Sequence, residues 1–249
     1  MIHSFSASYA GHVVDDNLGF DGMAANDRWY SNDKLATVFD WSLDIAQHLD
    51  KLGYDEFWMA EHHFQPEGYE CIPNLLMLSL YLSTQTKRLK FGCGFNIAPM
   101  WHPLRLAEDF ATADILTKGR VIFGVGRGYH TREVETFGSP MLDGDANREL
   151  FEEQVEVMLM AFKEESFSYH GKHYQIPAKV PYRGYELEKL SLVPRPIHQP
   201  VEVWQPLVSG NPRGINFMAK MGIKPIISNN SDPVLADRMK LYQDAVKAH

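Results

Sequence analysis

Leu89–Val125 reads LKFGCGFNIAPMWHPLRLAEDFATADILTKGRVIFGV, and this stretch decides the fold. Leu89–Ala98 is an apolar run of strand length. A helix follows from Leu104 to about Leu116, with prolines crowded just before it. Val121–Val125 (VIFGV) returns as a strand that is apolar on both faces, as strands of buried parallel sheets are. Strand, helix, strand implies parallel pairing through a right-handed crossover.

The same unit recurs outward from this stretch. Upstream, Ile2–Ala7 reads as a strand, and a polar, Gly- and Asp-rich connection spans residues 11–33. Residues 34–52 carry Leu35, Val38, Phe39, Leu43, Ala46 and Leu49 at helical spacing, and Gly53 stops that helix. Glu56–Ala60 is the second strand, and Pro73 opens a helix to about Thr84. Downstream come the amphipathic helix Asn147–Lys163, the strand Val201–Trp204, a helix over 212–221, the strand Lys224–Ser228 and a helix over 233–247. Residues 166–200 break the pattern. They hold five of the fourteen prolines and a short hairpin (FSYHGKHYQI), so they read as an insertion after the fourth unit.

Six βα units with one insertion predict an α/β fold, a TIM-type (β/α) barrel. The 249 residues are the usual size of a complete eight-unit barrel, yet only six units can be counted. The expectation is therefore one barrel domain over 1–249 whose last two βα units are missing, with open strand edges.

Composition narrows the class. A hydrophobic fraction of 45% is that of a folded chain, and 24 basic against 32 acidic residues argues against a nucleic-acid partner. No run approaches the ~20 apolar residues of a membrane span. The opening MIHSFSASYA has neither a basic leader nor an apolar core, and Cys71 and Cys93 cannot build a disulfide framework. A cytoplasmic protein without a membrane partner is expected.

In such folds ligands bind at the carboxyl-terminal ends of the strands. Glu61-His62-His63 follows the second strand and offers acid/base or metal-ligand chemistry. Neighbouring residues of an extended chain point to opposite faces, so His62 and His63 should not chelate one ion, and no metal site is expected. The remaining reading is that both histidines only hydrogen-bond loop carbonyls. Gly124-Val125-Gly126-Arg127-Gly128 follows the fourth strand; its glycines admit a ligand close to the backbone and Arg127 suits phosphate. Its alternative is a packed turn with Arg127 paired to Glu133 or Glu135. Ser209–Gly214 begins a helix with Asn211 as N-cap, either an anion site or simply a well-capped start. Cys93 reads as a packed residue, Trp101 and His102 as possible pocket walls, and Asp143, Asp145 and Glu149 as a helix-start cluster.

The run AEHHF, the segment from Leu89 through the HP, LAED, KGR and FGVGRG motifs, and the later SGNPRGINFMAKMG together resemble the bacterial luciferase-like flavin monooxygenases. The resemblance implies a flavin-binding barrel that uses reduced FMN, supplied by a separate flavin reductase, with dioxygen as co-substrate. In such enzymes a flavin 4a-hydroperoxide oxidises a small organic substrate. Carried over by position, His62 matches the family's acid/base. Arg127, Gly128 and Tyr129 match the phosphate segment after the fourth strand, and Ser209, Asn211 and Gly214 the second phosphate loop. Gly94-Phe95 falls where the family has a non-prolyl cis peptide against the flavin ring. The 11–33 connection suits a lid, and a homo- or heterodimer is implied. Gly126 stands where luciferase proper has a reactive cysteine, so light emission from an aldehyde is not expected. Two alternatives remain: a deazaflavin-dependent oxidoreductase of the same fold, or a flavin-binding protein without turnover.

Overall fold

The computed structural model describes residues 4–15, 28–227 and 231–249. The expected lid over 11–33 therefore lies largely outside the described residues. Seven strands form one parallel sheet. Its main path runs β1 (Ser6–Tyr9), β2 (Glu56–Met59), β3 (Lys90–Cys93), β5 (Val121–Gly126), β10 (Val203–Pro206) and β11 (Lys224–Ile226), with β4 (Asn96–Ile97) paired beside β5. Every pairing in it is parallel. The connections carry α1 (Asn32–Leu52), α2 (Leu75–Thr84), α3 (Pro103–Thr117), α5 (Gly144–Lys163), α6 (Pro212–Lys220) and α7 (Asp232–Ala248), with a short α4 (Thr131–Val134) after β5. Among the described residues β1 and β11 are the two ends of the path, so the sheet is an open half-barrel rather than a closed ring.

Alternation along the strands sorts the sheet into two faces. Phe57 pairs in register with Phe91, and Phe123 with Val203; all four are buried. Phe123 meets Phe110 of α3 at 4.5 Å and Phe162 of α5 at 5.4 Å between ring centroids, which places these residues on the helix side. The intervening residues face the other way. Trp58 stands in register with Gly92, and a Cβ on Gly92 would come within 2.2 Å of the Trp58 ring. Only glycine leaves room for the indole there. Trp58 meets Trp204 edge to face at 5.7 Å, so two tryptophans fill the inner floor where a closed barrel has its layered core.

Four local readings are corrected. The expected strand Leu89–Ala98 is two strands, β3 and β4, separated by Gly94–Phe95 and followed by a 3-10 turn at Ala98–Met100. The second helix starts at Leu75 because Asn74, not Pro73, supplies its start: the Asn74 side chain accepts from Met77 N–H at 2.9 Å. The fifth parallel strand lies two residues later than expected, at Val203–Pro206. The insertion carries two hairpins, β6 (Tyr169–His170) with β7 (Gln175–Ile176) and β8 (Pro181–Tyr182) with β9 (Tyr185–Glu186). The second turns on Arg183-Gly184, both with positive φ (50° and 86°), the geometry of a tight hairpin turn.

Entry into β3 is fixed by Asp50 at the end of α1. Its carboxylate accepts N–H bonds from Lys87, Arg88 and Leu89 at 2.8–3.0 Å. Partial burial pushes this carboxyl up, but the three N–H donors and the Arg88 charge outweigh it and hold it below the ordinary Asp value. A carboxyl held low when folded stabilises the chain above its unfolded value near pH ~4 and loses that contribution as pH falls through the folded value. Asp50→Asn should therefore lower the denaturation midpoint at neutral pH and weaken its fall on acidification; an unchanged acid limb would refute the assignment. Phe123→Ala, which empties the contact of the sheet with α3 and α5, should destabilise by about 3–5 kcal/mol in chemical unfolding.

Candidate active site

The carboxyl ends of β2, β4, β5 and β10 surround one cleft of about 670 Å³. That is ample for a nucleotide-sized ligand. His62, Gly94, Phe95, Arg127, Gly128, Tyr129, Ser209, Asn211 and Gly214 all line it, so the nine positions that the family resemblance marked are brought to one place. Trp101 does not line it. Its indole N–H donates to Glu61 Oε1 at 2.9 Å, which turns the ring away. His102 instead caps α3, its Nδ1 accepting from Leu104 N–H. Cys93 is fully buried and its thiol is pushed up to about 12 by that burial, in keeping with a packed residue.

At the end of β2 the three residues of the EHH run diverge. Glu61 accepts from Ile97 N–H at 2.9 Å and from Trp101, and stands 3.1 Å from His63 Nε2. His63 also packs edge-on against Phe137. His62 is buried at the cleft wall with a carboxylate on each side. Its Nδ1 lies 3.1 Å from Glu133 Oε1, and its Nε2 lies 3.1 Å from Glu70 Oε2 and 3.3 Å from the Tyr129 hydroxyl. The two rings thus meet different carboxylates, and among the described residues neither bonds a loop carbonyl.

Glu133 organises this corner. It also accepts from His63 N–H at 3.1 Å and Gln65 Nε2 at 2.9 Å. Burial raises its carboxyl, but the bonds from His62, Gln65 and His63 prevail and keep it below the ordinary range. It is the carboxylate that the sequence offered as a partner for Arg127. It is engaged with His62 instead, and Glu135 is engaged with Met141 and Leu142 N–H groups. Burial and the neighbouring Glu70 carboxylate push the Tyr129 hydroxyl up, so that phenol stays protonated.

The opposite end of the cleft is cationic. Arg127 Nη1 donates to Asn147 Oδ1 at 2.9 Å, while Asn147 Nδ2 returns a bond to Arg127 C=O. Burial, then the charges of Arg148 and Arg213, disfavour the Arg127 cation. Arg213 has a counterion in Glu152 at 2.7 Å. Arg148 lines the cleft directly over Gly214, where an added Cβ would sit 3.2 Å from its Nη1. Arg238 from α7 reaches beneath Gly210 in the same loop. The start of α6 is not a set of free amides: Asn211 Oδ1 already accepts from Arg213 and Gly214 N–H at 3.0 and 3.3 Å. The positive charge at this end comes from the guanidinium groups of Arg127, Arg148 and Arg213.

Between the two ends, the Gly94–Phe95 peptide is cis, and Gly94 sits against the Trp58 ring. Gly128 has φ 78°, and a Cβ there would meet Val134 at 2.6 Å, so the backbone can run flat along the cleft. Sequence reasoning missed Glu70 and Arg148, and it paired Glu133 with Arg127 rather than with His62. None sits at a strand end: Glu70 lies in the loop after β2, Glu133 in α4, and Arg148 one turn into α5.

The sequence profile of the luciferase-like monooxygenases matches residues 21–249. This chain belongs to that family. Relatives within it include the oxygenase component of the flavin-dependent trigonelline monooxygenase of Acinetobacter baylyi, 26% identical over 186 residues, covering 74% of this chain and 47% of that one. The limonene 1,2-monooxygenase of Rhodococcus erythropolis is 32% identical over 147 residues, covering 59% and 37%. This luciferase-like chain thus spans less than half the length of these two relatives. Its fold is shared with the oxygenating constituent of the 3,6-diketocamphane monooxygenase from the CAM plasmid of Pseudomonas putida, solved with FMN (TM-score 0.75, 20% identity, 100% of this chain and 63% of that one). It is also shared with an F420-dependent secondary alcohol dehydrogenase (TM-score 0.69, 18% identity, 84% and 60%). Among the described residues, no helix is long and apolar enough to cross a membrane.

The hydrogen-bond pattern at Glu133 gives a direct test. Glu133→Ala strips a partner from two buried donors and one half-buried one and should destabilise the chain by about 2–4 kcal/mol, since each orphaned buried donor costs about 1–3 kcal/mol. Glu133→Gln, which keeps an acceptor oxygen, should recover part of that loss in the same denaturation experiment. Equal stability of all three proteins would contradict the assignment.

Proposed function

We propose that the cleft binds reduced FMN and that this luciferase-like chain carries the oxygenating chemistry of a monooxygenase for a small organic substrate. The observation that supports the reading is the convergence on one cleft of a phosphate-sized cationic corner, a flat glycine-lined backbone and a buried, doubly anchored histidine. Arg127 and Arg148 would hold the phosphate, with Ser209, Asn211 and Gly214 beside them. The Gly128–Tyr129 backbone would continue that phosphate segment, and Gly94 and Phe95 would flank the ring system. The residues fit the group: burial and like charge already disfavour the Arg127 cation, and an anion between the guanidiniums relieves that penalty.

Bound reduced FMN supplies activation of dioxygen, so that one oxygen atom can pass to the substrate. What remains for this chain is to bind, orient and handle protons. Glu133 at Nδ1 fixes the His62 ring, leaving Nε2 at the cleft to give or take a proton. Tyr129, kept protonated, donates toward the same point. Trp58, Gly94 and Phe95 line the cleft and would form the wall against which the ring system rests. A separate flavin reductase is proposed as the source of reduced FMN, in line with a relative that is itself named an oxygenase component. A homo- or heterodimer is proposed as the working assembly.

The test is oxygen consumption with reduced FMN against a panel of aldehydes, cyclic ketones, terpenes and aromatic compounds. Substrate-dependent oxidation above flavin autoxidation is expected. Turnover with a reduced deazaflavin and no need for oxygen would move the chain to the hydride-transferring relatives, and tight FMN binding without turnover would make it a binder. Arg127→Ala should weaken FMN by ~10- to 100-fold, the loss of one charge-assisted contact. His62→Ala should abolish oxidation while leaving FMN affinity within a few-fold; undiminished oxidation would remove His62 from proton transfer.

A further inference from the structure

His62 Nε2, Glu70 Oε2 and His130 Nε2 all lie within 4.8 Å of one another. Glu70 Oε2 is 3.1 Å from His62 Nε2 and 3.8 Å from His130 Nε2. The longer separation exceeds a hydrogen bond. The His130 nitrogen is buried and has no hydrogen-bond partner. An unpartnered buried nitrogen aimed at a carboxylate across a gap too wide for a proton calls for something between them. Donors that hold a tetrahedral Zn²⁺ at ~2.0–2.1 Å stand ~3.3 Å apart, and the two separations here bracket that edge.

The surroundings complete the pattern. Glu133 accepts from Nδ1 of His62, so the free lone pair of the neutral ring is at Nε2, the atom that points into the cluster. A ligating histidine backed by a carboxylate on its other nitrogen is the common second layer of zinc sites. His62 and Glu70 line the cleft, so a fourth position is open to water, with the Tyr129 hydroxyl 3.3 Å from Nε2. Two imidazoles and one carboxylate form a nitrogen–oxygen set that favours late first-row divalent ions over calcium or magnesium.

We propose that His62, Glu70 and His130 form a binding site for a divalent ion of the zinc type at the wall of the cleft. The sequence excluded His62 with His63 as a pair of ligands; the fold replaces His63 with His130, which β5 and its following loop bring from 68 residues away. Occupancy would take up the His62 Nε2 lone pair and so block proton transfer at that atom. This consequence rests on the function proposed above, whereas the binding does not.

The experiment is calorimetric titration of Zn²⁺ into the chelator-treated, flavin-free chain, paired with Co²⁺ absorption as a report of nitrogen–oxygen ligation. One ion per chain is expected at this site, with ligand-field bands in the visible for Co²⁺. His130→Ala and Glu70→Gln should each weaken Zn²⁺ at least ~10-fold and erase those bands, and Glu133→Gln should weaken it ~10-fold through His62. The double variant His170→Ala/His173→Ala on the insertion hairpin should bind as the parent does. Zn²⁺ affinity unchanged in His130→Ala, loss of binding in the hairpin variant, or no binding by the parent would each overturn the proposal. Because flavin is absent throughout, failure here leaves the flavin reading untouched, and failure of that reading leaves the titration intact.

Discussion

The buried carboxylate of Glu133 ties the end of β2 to the segment that follows β5. It gathers His62 Nδ1, His63 N–H and Gln65 Nε2 onto two oxygens, and the Tyr129 hydroxyl at His62 Nε2 adds a second link between the same strand ends. Each of those donors would be costly to bury alone. With the carboxylate present, the loop after β2 has one arrangement, the imidazole has one orientation, and the cleft has one wall. The half-barrel positions the two ends; Glu133 sets their chemistry.

The cleft is electrically polarised along its length. Carboxylates surround the histidine end, and guanidiniums surround the end formed by β5, α5 and α6. A ligand carrying an anionic tail and a flat, redox-active head fits that polarity in one direction only. The two ends are also separate in their hydrogen bonds: Arg127 is held by Asn147, whereas Glu70 and Glu133 face His62. Between the ends, glycine at 92 makes room for Trp58, and glycine at 128 lets the backbone turn, so the middle of the cleft is shaped by missing side chains.

Much of this was legible from periodicity. Strand and helix spacing gave the six βα units, and the rule that ligands bind at carboxyl ends brought His62, Arg127 and Ser209–Gly214 into one cleft. What escaped was what periodicity does not encode. Glu70 and His130 are close because two loops fold over the strand ends, and Arg148 faces the cleft because of the pitch of α5. The break of Leu89–Ala98 into β3 and β4 falls at Gly94–Phe95, a place to which only the family resemblance pointed. For Trp101, open from the sequence between pocket wall and plain packing, the packed arrangement holds because its N–H finds Glu61, 40 residues away in sequence.

The central claim is that the arginine end of the cleft reads a phosphate while the histidine end faces the reactive ring. Titration of the chain with reduced FMN and with reduced riboflavin, which differ by that phosphate alone, measures it directly. The account requires FMN to bind at least ~10-fold more tightly, with the preference shrinking as salt is raised. Equal affinity for the two flavins would contradict it.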